Sequence, residues 1–309
     1  MDLMQYGLRP IDFNHGGMAA NPATNPATDA SANGAGFTRR GFLVTSLASG
    51  FALASNPVFA QAIKTDSKGL VAGEVSIPVG DGKIPAYRAM PAKAGTFPTV
   101  IVIQEIFGVH EHIQDMCRRF AKLGYYAIAP ELYSRQGDVS KMTDINAILT
   151  DVVSKVPDAQ VNSDIDATVA FAKASKHANV SRLGVVGFCW GGRATWLYAS
   201  HNPQVKAAVA YYGLLDGMKS DIKQNDPIDI ARTVKVPVLG LYAGSDAFVK
   251  AAVIEQMRAG LAAGDSGSEV VVFPGVEHGF NADYRPSYDK TAATYAWKLT
   301  RDWLEERGV

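Results

Sequence analysis

The residue whose setting points most directly to chemistry is Cys189, in Gly187-Phe188-Cys189-Trp190-Gly191-Gly192. An apolar, strand-like run, Arg182–Val186, precedes it and helical spacing over Gly191–Ser200 follows, so the thiol sits on a sharp strand-to-helix turn. Such a turn strains the backbone of its central residue and lifts that side chain above the sheet. Gly187 and Gly191 leave room for neighbouring backbone to pass close by. The amino terminus of the helix behind the sulfur favours a thiolate, the form that attacks carbonyl carbon. Cys117, between Met116 and Arg118 in a helical stretch without a glycine frame, reads instead as a core cysteine.

A thiol of ordinary acidity needs a base, and the base needs a carboxylate to orient it. In chains built on this turn the order is nucleophile, carboxylate, histidine. Asp246, in Gly244-Ser245-Asp246, follows the strand-like Pro237–Tyr242, and His278, in Glu277-His278-Gly279-Phe280, follows Glu269–Phe273. Both therefore belong to loops at the carboxyl ends of strands. Asp216 and Asp283 are the rival carboxylates, the second too near His278 in sequence to be favoured. The remaining histidines fall in the amino-terminal tail (His15), at the opening of a helix (His110, His112) or at helix ends (His177, His201). His110 and His112 lack a third ligand nearby, so no metal site is expected, and this chemistry needs no cofactor. The oxyanion hole should use the backbone N–H groups of Trp190 and of Ile106, in the loop after the apolar run Thr99–Ile103.

Stretches with strand character alternate with helical ones from Leu70–Pro78 and Lys83–Met90 onward. The helical stretches are Glu111–Leu123, Asp144–Val153, Ser163–Ser175, Gly191–Ser200, Val249–Ala262 and Tyr288–Glu306. The strand-like ones between them are Thr99–Ile103, Tyr125–Ala129, Arg182–Val186, Ala207–Tyr211, Pro237–Tyr242 and Glu269–Phe273. Continuous apolar strands separated by helices predict an α/β fold with a mostly parallel central sheet covered on both faces. Ligands then bind beyond the carboxyl ends of the strands, where Cys189, Asp246 and His278 all fall. With 47% hydrophobic and 19% charged residues, and 30 basic residues against 30 acidic, nothing suggests nucleic acid or an anionic membrane as partner.

Residues 1–60 read as a leader ahead of one domain, 61–309. The first part is rich in Ala, Asn, Gly, Pro and Thr, a composition that cannot offset the entropy of ordering. Thr38-Arg39-Arg40-Gly41-Phe42-Leu43, the apolar run Gly41–Ala54 and the small-residue site Val58-Phe59-Ala60 then form a twin-arginine export signal. The apolar run is shorter than the roughly 20 residues of a membrane-spanning helix, so no stable anchor is expected. Met18 is as sensible a start as Met1. The expected partner of the precursor is the twin-arginine export machinery, and the expected location is the periplasm or outside the cell.

From about residue 70 onward the chain resembles the dienelactone hydrolase (carboxymethylenebutenolidase) family of the α/β-hydrolase fold. The likeness is carried by Gln104-Glu105-Ile106-Phe107-Gly108, Pro130-Glu131-Leu132-Tyr133-Ser134-Arg135, Gly187-Phe188-Cys189-Trp190-Gly191-Gly192, Tyr211-Tyr212-Gly213, Gly244-Ser245-Asp246 and His278-Gly279-Phe280. The resemblance implies a small ester or lactone substrate attacked by Cys189, with His278 as base and Asp246 as its orienter. It further implies that Glu105 contacts the resting thiol and helps activate it, and that Arg135 binds a substrate carboxylate. The family's second carboxylate-binding arginine stands four residues after the histidine, where this chain has Ala282. Arg285 would replace it only if its loop bends inward. One charge-assisted contact is worth roughly 1.5–3 kcal/mol, enough to change substrate preference. A cysteine peptidase would share the Cys–His pair but not the glycine-framed turn. A non-catalytic binding protein on a hydrolase fold is the alternative from another class.

Overall fold

The computed structural model describes residues 63–309, so the leader and export signal expected over 1–60 lie outside the described residues. Among the described residues eight strands form one sheet. They are β1 (Leu70–Val79), β2 (Gly82–Pro91), β3 (Phe97–Ile103), β4 (Tyr126–Pro130), β5 (Ala178–Phe188), β6 (Ala207–Tyr211), β7 (Val238–Ala243) and β8 (Glu269–Phe273). Their spatial order is β1-β2-β4-β3-β5-β6-β7-β8. β1 and β2 form a hairpin, β2 lies antiparallel to β4, and every later pairing is parallel. The six main helices are α1 (Glu111–Lys122), α2 (Asp158–Ala174), α3 (Trp190–His201), the short α4 (Pro227–Ile230), α5 (Ala251–Ala262) and α6 (Lys290–Glu306). The α/β-hydrolase fold read from the sequence is the fold observed.

The central strands are apolar along their whole length because both faces are covered. Every residue of β4, β6 and β7 is buried. Two glycines of β5 mark the two faces. A Cβ on Gly184 would meet Leu304 of α6 at 2.9 Å, whereas one on Gly187 would meet Gly191 and Thr195 of α3. Helices therefore press on opposite sides of the same strand, at distances that leave no room for a side chain.

Two stretches differ from expectation. Over 144–155 the backbone makes a few short turns of mixed helical type instead of one α-helix. The segment is rich in β-branched residues, and Thr150 and Ser154 donate their hydroxyls to carbonyls four residues back, which disfavours a regular helix. Helix α2 begins at Asp158, five residues before the sequence signal at Ser163, because Pro157 sets the entry and Asp158 pairs with Arg193 of α3 at 2.7 Å. Among the described residues no helix is long and apolar enough to cross a membrane.

Candidate active site

Cys189 caps the amino end of α3 with φ 56° and ψ −116°, a conformation that non-glycine residues rarely adopt and that costs on the order of 1–3 kcal/mol. Its neighbours hold it there. The Cys189 N–H donates to the Tyr211 carbonyl of β6 at 3.0 Å, and its own carbonyl accepts from the N–H groups of Gly192 and Arg193 at 2.9 and 3.2 Å. A Cβ on Gly191 would lie 2.4 Å from the Gln104 carbonyl and 2.5 Å from that of Ile103. The start of α3 is thus pressed onto the end of β3, and only glycine fits between them.

Asp246 follows β7 and His278 follows β8, and the two loops bring the side chains together. His278 Nδ1 lies 2.9 Å from Asp246 Oδ2, with both side chains buried. The other carboxylate oxygen accepts from the N–H groups of Phe248 and Val249 at 2.8 and 3.1 Å, so the carboxylate cannot rotate freely. Asp246 therefore steadies the approach to α5 and orients the imidazole at once. Tyr212 and Phe248 pack edge-on against the imidazole, each with ring centroids 5.0 Å away. Burial alone would lower the pKa of His278. The Asp246 carboxylate and Cys189, which acts on the ring by charge and by hydrogen bond, outweigh it and push the value up to about 10. The imidazole thus stands between the thiol and the carboxylate.

The loop after β3 supplies the other wall. Among the described residues neither the Ile106 N–H nor the Trp190 N–H meets an acceptor. Two side chains brace this loop against the one after β4: Gln104 Oε1 accepts from Leu132 N–H at 3.1 Å, and Glu131 Oε2 accepts from Val109 N–H at 2.7 Å. Tyr133 packs edge-on against Trp190 at 4.8 Å. The motifs around 104–108 and 130–135 are thus one cross-braced unit.

Glu105 is fully buried at the centre of a polar cluster. Arg285 Nη2 donates to its Oε1 at 3.2 Å, the Tyr284 hydroxyl donates to its Oε2, and His110 Nε2 lies 3.6 Å from that oxygen. Burial would raise the pKa of this carboxyl, but the Arg285 guanidinium and the two nearby imidazoles hold it well below the usual range. Arg285 is only 6% exposed and its guanidinium also lies over the Phe107 ring, 5.1 Å from the centroid. Cys189 is among the groups whose charge acts on it. The residue two positions earlier explains the inward turn. Asp283 is bound by His112 at 3.1 Å and by Arg119 at 2.6 Å, both on α1.

The sequence profile of the Dienelactone hydrolase family matches residues 84–308. The chain belongs to the dienelactone hydrolase family. It is 58% identical over 273 residues to the protein named "Putative carboxymethylenebutenolidase" of Methylorubrum extorquens, covering 88% of this chain and 94% of that one. A protein of the same name in Escherichia coli K12 is 48% identical over 267 residues, 86% of this chain and 98% of the relative. The crystal structure titled "Putative Dienelactone Hydrolase" from Klebsiella pneumoniae has a TM-score of 0.75 at 51% identity, covering 77% of this chain and 99% of that one.

Cys189, Asp246, His278, Glu105 and Ile106 stand just past the carboxyl ends of strands, and Trp190 opens α3 directly after Cys189. Arg135 does not join them. Its Nε and Nη2 bond Asp81, at 2.6 Å in the closest contact, and its Nη1 and Nη2 bond Asp164 at 2.6 and 2.9 Å. A guanidinium held by two carboxylates ties the β1–β2 turn to α2. The buried cation that pairs with Glu105 is Arg285. Nothing in the sequence points to Tyr284 or to the pairing between His112 and Asp283, because both depend on the start of α1 meeting a loop distant in sequence.

Proposed function

We propose that the protein hydrolyses an ester or lactone through a Cys189–His278–Asp246 triad and an acyl-thioester intermediate. The observation that carries this reading is the buried His278 ring, bonded through Nδ1 to Asp246 at 2.9 Å and acted on by the Cys189 thiol. The imidazole, its pKa raised beside Asp246 and Cys189, holds the proton taken from the thiol, so sulfur attacks the carbonyl carbon as thiolate and the carbonyl electron pair moves to oxygen. The Ile106 and Trp190 N–H groups hold that oxyanion, each worth roughly 3 kcal/mol in the transition state. As the tetrahedral intermediate collapses, the C–O bond breaks and the leaving oxygen takes the proton from His278. In a lactone that oxygen stays tethered to the acyl chain. His278 then takes a proton from water, whose oxygen attacks the thioester and releases the acid and the free thiol.

Glu105 and Arg285 set the second part of the reading. The family likeness assigns Glu105 a part in activating the thiol, and here Arg285 holds it. A substrate carboxylate that competes for Arg285 frees Glu105 to turn toward sulfur, so acidic lactones should gain most. The relatives' name, carboxymethylenebutenolidase, agrees with such a substrate. The test is a panel of acidic lactones and neutral aryl esters, run beside Cys189→Ala. Hydrolysis by the wild type alone supports the triad. A wild type no faster than Cys189→Ala on any substrate would mean a binding protein on a hydrolase fold.

We further propose that the chain is exported by the twin-arginine route. The support is Arg39-Arg40 followed by the apolar run Gly41–Ala54 and the site Val58-Phe59-Ala60. Fractionation of cells carrying Arg39→Lys with Arg40→Lys should move the protein from periplasm to cytoplasm; unchanged export would refute the route.

A further inference from the structure

Tyr212 stands directly after β6 with φ 37°, a left-handed conformation that is costly for a residue with a bulky side chain. The backbone around it is fixed from both sides. Its N–H donates to the Leu241 carbonyl at 2.8 Å, and the carbonyl just before it, on Tyr211, receives the Cys189 N–H. On the other side, a Cβ on Gly213 would lie 2.4 Å from the Gly192 backbone, so the turn is locked against the start of α3. Strain of this kind persists where surrounding structure dictates it, and it concentrates at functional sites.

The side chain adds an independent observation. Tyr212 is fully buried, its ring stands edge-on to His278 and, 5.4 Å away, to Phe280, and its hydroxyl has no hydrogen-bond partner among the described residues. The hydroxyls of Tyr126 and Tyr133 also lack a partner among the described residues, but Tyr212 is the one of the three whose ring packs against His278, and three other buried tyrosines are satisfied. The hydroxyl of Tyr211 pairs with Thr300 at 2.7 Å, that of Tyr242 accepts from Trp196 at 3.1 Å, and that of Tyr198 donates to Asp166 at 2.8 Å. Burial keeps the Tyr212 phenol well above its ordinary pKa, so it holds its proton and can donate. The charges that act on it are those of Glu105, Arg285, Tyr284 and Cys189, all members of the site. A buried hydroxyl without a partner is a standing cost to the folded state.

We propose that the Tyr212 hydroxyl is a substrate-binding donor, kept without an internal partner so that an oxygen of the bound ester or lactone completes its hydrogen bonding. This rests on the hydrolase reading and adds to it a residue that selects substrates by their acceptor oxygens. The strained turn beside the nucleophile fixes the phenol against the base, so the donor is in place before substrate arrives.

The test is Tyr212→Phe, which removes one oxygen and keeps the ring. The expected result is a fall in kcat/KM of roughly ten- to a hundredfold on the best substrate of the panel, the range for a lost hydrogen bond in a site built to make it. Tm should stay the same or rise, because an unpaired buried hydroxyl is gone. A kcat/KM within twofold of wild type would overturn the proposal while leaving the triad standing. A Tm lowered by several degrees would also overturn it, since the hydroxyl would then have a structural partner. If wild type is no faster than Cys189→Ala on any substrate, the hydrolase reading fails and this proposal falls with it.

Discussion

Arg285 Nη2 lies 3.2 Å from Glu105 Oε1, a buried ion pair between a loop after β8 and a loop after β3. Removing one partner of such a pair leaves the other charged and desolvated. Arg285→Met should therefore destabilise the protein by about 3–5 kcal/mol, and adding Glu105→Gln should recover most of that loss. Urea unfolding of the two single variants and the double reads this directly. A loss in the double equal to the sum of the two single losses would mean that the two groups are not coupled.

The Asp246–His278 pair predicts how stability depends on pH. His278 has a folded pKa raised to about 10, above the ordinary histidine value near 6.5. Its contribution is thus complete below the unfolded pKa and is lost as pH rises through the folded one. The stability advantage of wild type over Asp246→Asn should be large at pH 6 and shrink steadily toward pH 10.5. Urea midpoints at three pH values suffice, and a pH-independent difference would contradict the pairing.

The two thiols should differ in reactivity. Cys117 is fully buried in α1, and burial pushes its thiol far above the ordinary pKa. Cys189 faces an imidazole that can take its proton. Under native conditions iodoacetamide should modify the wild type once, at Cys189, and leave Cys189→Ala unmodified. Mass spectrometry decides it; label on Cys117 in the folded protein would be the adverse result.

Gly191 sits where α3 meets β3. Because an added Cβ would lie 2.4 Å from the Gln104 carbonyl, Gly191→Ala should cost more than about 3 kcal/mol and lower activity in whatever fraction still folds. Soluble yield and Tm measure the first effect, and turnover per active thiol the second. Wild-type values for both would mean the contact is soft.

The parts of the site that the sequence made legible are those governed by local chain. β6 coincides with the apolar run Ala207–Tyr211, because a continuous run buried on both faces leaves little freedom in its bounds, and the edge strand β8 keeps the bounds Glu269–Phe273 although only Phe273 of it is buried. Cys189 was visible from its glycines, and Asp246 and His278 from their places after strands. Arg285 was not, since its direction depends on Asp283 meeting His112 and Arg119 of α1, a contact spanning more than half of the domain. The ion pairs of Arg135 were hidden for the same reason. Its partners Asp81 and Asp164 come from a turn and a helix on either side of it in sequence, and nothing local announces them.

The loops at 104–109 and 131–133 are stapled to each other through Gln104 and Glu131, and this constrains anyone reshaping the enzyme. A library that varies 131–133 to admit bulkier acyl groups will also shift the Ile106 amide, so gains in fit and losses in turnover would arrive together and be hard to separate. Selection in such a library should favour variants that keep the Gln104 and Glu131 contacts while diversifying the residues beyond them.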